Sequence, residues 1–124
     1  LRGEDYFRKT EREITEKCLA SETPLVIACG GGTLLDEDFG KQLSRDCLII
    51  WLYASPSICV QRIGTDGRPL LDRYIDRLEG AEMLFKQRKF AYARVAHLLV
   101  STANRTPKEV SNKIYGEINQ TWPD

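Results

Sequence analysis

Gly30-Gly31-Gly32 closes an apolar run, Leu25 to Cys29, and at this junction chemistry can first be argued. A residue without Cβ lets the backbone turn sharply and lets its N–H groups approach an oxygen-rich ligand closely. The run, bounded by Pro24 and the glycines, reads as a strand buried on both faces. The C-terminal edge of such strands is where open α/β sheets bind ligands. Three glycines suit a plain strand-to-helix turn equally well, so this stretch alone leaves both readings open. Arg88 is the second candidate. Leu78, Ala81, Phe85, Tyr92 and Val95 recur at three- and four-residue steps on one face of a predicted helix, and Arg88 falls on that face. A charge on an apolar stripe snorkels, pairs with an acid or points into a polar pocket, and the spacing does not choose among the three. Arginine outnumbers lysine eleven to seven, and its guanidinium fork suits carboxylate and phosphate.

These residues need a scaffold, and 124 residues suffice for one domain with a core. Basic and acidic residues balance at 18 each, which argues against a general nucleic-acid binder with its basic excess. No apolar run is long enough to span a bilayer and no signal peptide is present, so no membrane partner is expected. Cys18, Cys29, Cys47 and Cys59 form no CxxC pair and stand beside a single histidine, so no metal-ligand spacing arises. They are expected to be reduced, mostly buried thiols of a cytoplasmic protein.

The elements follow from periodicity and punctuation. A helix capped by Asp5 is predicted from Tyr6 to Ala20, with Phe7, Ile14 and Cys18 as its sparse apolar side. After the glycines comes a helix from Asp36 to Arg45, then a strand from Cys47 to Tyr53. Ser55-Pro56 opens a helix that ends near Gly64. Residues 64–75 have no clean period and the make-up of a lid. A long helix runs from Ile75 to Val95, a strand from His97 to Ser101, and a last helix from Lys108 to Gln120 behind Thr106-Pro107. His97, at a strand start, reads as structural. Alternating strands and helices imply an α/β fold: a three-layer α/β/α arrangement on a parallel sheet, one domain over residues 1–124.

Six stretches now align in order: GEDYFRKTE (Gly3–Glu11), VIACGGGTLL (Val26–Leu35), IIWLYAS (Ile49–Ser55), RPLL (Arg68–Leu71), RKFAYARVA (Arg88–Ala96) and STANRTPKEV (Ser101–Val110). Together they resemble shikimate kinase, a small member of the P-loop kinase group, over essentially the whole chain. The resemblance implies that Arg8 and Arg88 grip the substrate carboxylate and that Glu11 orders the pocket. Gly31, between Gly30 and Gly32, would offer its backbone N–H to the substrate. Arg68 would reach the ATP phosphates from the lid in a catalytic role, and Arg62 and Arg105 would flank the adenine. The implied reaction is phosphoryl transfer from ATP, with Mg2+, to the 3-hydroxyl of shikimate in aromatic amino-acid (chorismate) biosynthesis. A monomer with shikimate as its small-molecule partner is expected.

One departure from the family pattern is large. The family opens with a strand, a GxxGxGK[ST] phosphate loop, a helix and a second strand ending in an Asp; none of these is in the 124 residues. The one Gly-Lys pair, Gly40-Lys41, is followed by Gln42 inside a helix candidate. In the family the sheet order is 2-3-1-4-5, and the glycine-ended strand is the third. Without the first strand a central gap is expected beside it, exposing two strand edges. The chain is therefore expected to be a P-loop kinase fold incomplete at its N-terminus, the C-terminal two thirds of a longer kinase, inactive alone. Three alternatives remain. One is a truncated, non-catalytic domain that binds a small carboxylate. Another is a related small-molecule kinase such as a gluconate kinase. The last is a structural α/β domain in which Arg88 pairs with an acid on a neighbouring helix.

Overall fold

The computed structural model describes residues 3–63 and 76–122. Among them the order is α1 (Gly3–Leu19), α2 (Glu37–Asp46), β1 (Ile50–Tyr53), α3 (Pro56–Ile63), α4 (Arg77–Val95), β2 (Leu98–Ser101) and α5 (Pro107–Thr121). The helix starts are set by local chemistry. The Asp36 carboxylate accepts the Phe39 N–H at 2.8 Å to open α2, and Asp76 accepts from Leu78 at 2.9 Å to open α4. A reciprocal box of Thr106 and Glu109, with Pro107 in the first turn, opens α5. α1 begins at Gly3 rather than Tyr6, so Asp5 is not its cap. With Glu4, Asp5 lies in the first turn, where the helix dipole favours a negative charge.

β1 and β2 run parallel, Ile50 opposite Leu98 and Tyr53 opposite Ser101. His97 closes the entry of this ladder: its N–H donates to the Ile49 carbonyl at 2.8 Å, and its Nδ1 accepts the Ile49 N–H at 3.0 Å. Thr102 closes the exit, donating from its N–H and its hydroxyl to the Tyr53 carbonyl at 2.8 and 3.0 Å. α2 and α3 pack on α4, and α5 packs on β2. The core holds Phe39 and Leu43 from α2, Ala81, Ala91 and Val95 from α4, Val100 from β2 and Val110 from α5. Trp51 meets Tyr92 edge-on at 5.5 Å and Tyr53 at 5.9 Å between ring centroids, joining β1 to α4.

Several expectations are corrected. Leu25–Cys29 forms no strand, and the described sheet has two strands where the sequence pattern gives three. The physical reason is that a strand is defined by a neighbour's N–H and C=O groups, and among the described residues none lies along this run. Val26 is accordingly 103% exposed, and Leu25 and Ile27 are exposed as well. For the same lack of cover Cys29 is exposed, while Cys18, Cys47 and Cys59 are only half-buried. Phe7 and Ile14 of α1 are exposed rather than core. The lid stretch, 64–75, lies outside the described residues.

Candidate functional site

α1 presents Arg8 and Glu11 one turn apart on the same face. Arg8 Nη1 donates to Glu11 Oε1 at 2.9 Å, and Arg8 Nη2 lies 3.6 Å from Glu4 Oε1. Opposite them the glycine loop is folded by Thr33 N–H to Gly30 O and Leu35 N–H to Gly32 O, each 3.2 Å. None of Gly30, Gly31 and Gly32 adopts positive φ. Their bareness therefore serves close approach, not an unusual turn. Each glycine is backed by one charged group. A Cβ on Gly30 would lie 2.5 Å from Glu11 Oε2, on Gly31 3.0 Å from Arg88 Cζ, and on Gly32 2.5 Å from Arg8 Nη2. A methyl group fits at none of these positions without moving the charge behind it.

Arg88 comes from α4 and is half-buried. Among the described residues no ion pair involves it. Of the three options for a charge on an apolar stripe, pairing with an acid is not seen among the described residues, and the guanidinium backs Gly31. One turn on, the Tyr92 hydroxyl donates to the Gly31 carbonyl. Burial pushes the Tyr92 phenol above its ordinary pKa, an effect larger than the opposing charge of Arg88. Tyr92 thus keeps the proton it donates. The Cys29 thiol is also pushed up, first by desolvation of its sulfur and then by the Glu11 charge. It is a poor thiolate, though the residue as a whole is exposed.

Two grooves flank α1. One of about 520 Å3 is lined by Arg8, Glu11, Arg12, Gly32, Thr33 and Asp36. The other, of about 270 Å3, is more apolar and is lined by Phe7, Glu11, Ile14, Cys18, Ile27 and Thr33. Arg12 holds α1 against α2. Its guanidinium sits 4.6 Å above the Phe39 ring and 3.8 Å from Asp36 Oδ2, and its Nε donates to Glu16 at 3.1 Å.

Arg62 and Arg105 meet at a different place, the turn beyond β2. Arg62 donates to Thr102 Oγ1 and to the Thr102 carbonyl, both at 2.8 Å, and Arg105 donates to the Ser101 carbonyl at 2.6 Å. Arg68 lies outside the described residues. The structure thus brings together Arg8, Glu11, Gly30, Gly31, Gly32 and Arg88 in one cluster and Arg62 and Arg105 in another. Tyr92, Arg12 and Thr33 are contributors that sequence reasoning missed. Tyr92 was hidden because its spacing marks it as part of the apolar stripe. Thr33, whose buried hydroxyl has no hydrogen-bond partner among the described residues, was signalled only by its place directly after the glycines.

Comparison with known proteins identifies the family. The family model described as shikimate kinase matches residues 1–119. The shikimate kinases of Francisella tularensis subsp. holarctica and Francisella philomiragia are each 34% identical over 114 residues, covering 92% of this chain. The chain spans 65% of the length of these relatives. The solved shikimate kinase from Acinetobacter baumannii in complex with shikimate matches with a TM-score of 0.89 at 26% identity, over 98% of this chain and 68% of that one. By the match along its length, with its glycine loop backed by two arginines, the chain belongs to the shikimate kinase family.

Proposed function

We propose that this chain supplies the substrate-recognising part of a shikimate kinase, which moves a phosphoryl group from ATP to the 3-hydroxyl of shikimate on the way to chorismate. The carrying observation is Arg88, half-buried and without an ion pair among the described residues, beside Arg8 on adjacent glycines. Two guanidiniums delivered by separate helices suit one carboxylate. Glu11 holds Arg8 in place, and Gly31 offers a backbone N–H to a ring hydroxyl. Catalysis by such a site is positioning and charge stabilisation. The Acinetobacter relative, solved with shikimate, supports the choice of substrate.

Arg62 and Arg105 would stand beside the adenine, and Arg68 would reach the phosphates. ATP and Mg2+ are the family's cofactors in this proposal. Among the described residues no three acidic, histidine or cysteine side chains converge, and the 124 residues hold no GxxxxGK[ST] loop. Among the described residues, the arginines behind Gly31 and Gly32 fit the carboxylate substrate. No described helix is long and apolar enough to cross a membrane. A cytoplasmic monomer completes the proposal.

The test is calorimetric binding to the complete natural protein. Arg88→Ala is expected to weaken shikimate on the order of 100-fold, through loss of a charge-assisted contact, with ATP affinity within twofold of wild type. Equal loss of both ligands would sink the assignment. Arg68→Ala is expected mainly to lower kcat. A second reading has the same clamp bind a small carboxylate and transfer nothing. Labelled phosphate appearing on shikimate would exclude it.

A further inference from the structure

We infer that Tyr92 is a positioning residue, tying Arg88 and the glycine loop into one preformed surface; this rests on the shikimate-site reading above. The loop itself is weakly constrained. Its three glycines have wide backbone freedom, and the run that leads into it has no ladder partner among the described residues. Two short turns fold it locally, at 3.2 Å each, but neither fixes it to another element. The Tyr92 hydroxyl does, by donating from α4 to the Gly31 carbonyl. In a trans peptide the C=O and the following N–H point opposite ways. Holding the Gly31 carbonyl toward α4 therefore turns the Gly32 N–H away from α4. It also sets the plane of the peptide between the glycines that back onto Arg88 and Arg8.

The anchor is itself held firmly. Trp51 of β1 packs edge-on against the Tyr92 ring at 5.5 Å, so the paired sheet supports the phenol. Arg88, one helical turn before Tyr92, backs the same glycine with its guanidinium. One helix thus delivers both groups to Gly31: the Tyr92 hydroxyl to its carbonyl and the Arg88 guanidinium behind it. A site ordered before binding loses less entropy when the ligand arrives. Tyr92 touches no substrate in this scheme; it acts through Gly31 and Arg88.

The experiment is Tyr92→Phe in the complete natural protein. It keeps the ring against Trp51 and deletes only the hydroxyl. Shikimate affinity is expected to fall about tenfold, the size of one lost hydrogen bond, with ATP affinity and melting temperature close to wild type. The Gly31 and Gly32 amide resonances, followed by 15N NMR without ligand, are expected to shift and broaden. Wild-type shikimate affinity with unmoved amides would overturn the inference, as would equal loss of shikimate and ATP. If the wild-type protein fails to bind shikimate, the proposed function fails. The glycine amides then decide the positioning role alone: altered amides in Tyr92→Phe uphold it, and unaltered ones end it.

Discussion

Two apolar runs of this chain end beside a pair of arginines, and they are held in different ways. Ile50–Tyr53 is laddered to Leu98–Ser101, and the turn beyond is bonded by Arg62 and Arg105 through backbone carbonyls. Leu25–Cys29 has no ladder among the described residues. The glycine loop it leads to is fixed instead by Tyr92, with Arg88, Arg8 and Glu11 packed behind it. The first arrangement puts the scaffold in the main chain. The second puts it in side chains from two helices that flank the loop. Apolar composition made the runs look alike; the presence or absence of a neighbour made them different.

The largest expected effect separates the runs by burial. Val100 is 2% exposed and Val26 103% exposed. In the 124-residue chain, Val100→Asp should cost on the order of 4 kcal/mol or abolish folding, since it buries an unpaired charge. Val26→Asp should change stability by less than about 0.5 kcal/mol. Urea denaturation of both variants decides the matter. A Val26→Asp penalty near that of Val100→Asp would mean that the first run is covered and that the contrast is false.

Next in size is the glycine loop. In the complete protein, Gly31→Ala must push Arg88 aside, since the new methyl would lie 3.0 Å from its Cζ. Shikimate affinity should fall between roughly tenfold and 100-fold, the range for disturbing a charge-assisted contact. Stability should change little, because the loop has no ladder among the described residues. Gly116 of α5 is the matched control: a Cβ there meets nothing within 4 Å. Gly116→Ala should stabilise the protein by about 0.5–1 kcal/mol through helix propensity and leave shikimate binding unchanged. Calorimetry on the pair tests whether the loop's glycines serve ligand approach or merely chain flexibility.

The helices were legible because their starts are written locally. The acidic start at Asp36 and the Thr106-Pro107 pair marked two helix starts, and both ends of the long helix fell within two residues of prediction. That the last two strands run parallel was legible from alternation, and that they are neighbours from the family's sheet order. The state of Leu25–Cys29 was not, since apolar sequence specifies a wish for cover and says nothing of what supplies it. In the site, Arg88 was visible as a charge on an apolar stripe, and Arg8 with Glu11 came from family resemblance. Tyr92 was invisible for a physical reason. A tyrosine on that stripe buries its ring like any core residue, and only the destination of its hydroxyl marks it as a support of the loop.

The smallest expected effect belongs to the laddered half, at the start of the helix that packs on β2. Glu109 accepts the Thr106 N–H at 3.0 Å, and this hydrogen bond, with the Thr106 side chain second, holds its carboxyl below the usual range. A carboxylate whose folded pKa is depressed contributes stability that is complete above its unfolded pKa, about 4.3. That contribution fades as pH falls through the lower folded value. Glu109→Gln keeps an acceptor at the cap and removes the titration. The wild-type advantage in melting temperature over this variant should therefore be present at pH 7 and shrink below about pH 4.3; the other carboxylates cancel in the difference. An advantage that does not vary with pH would show that the charge has no part in the cap. The two halves of the molecule then differ in kind: a disturbed cap is confined to one helix end, whereas a disturbed Tyr92 reaches the ligand.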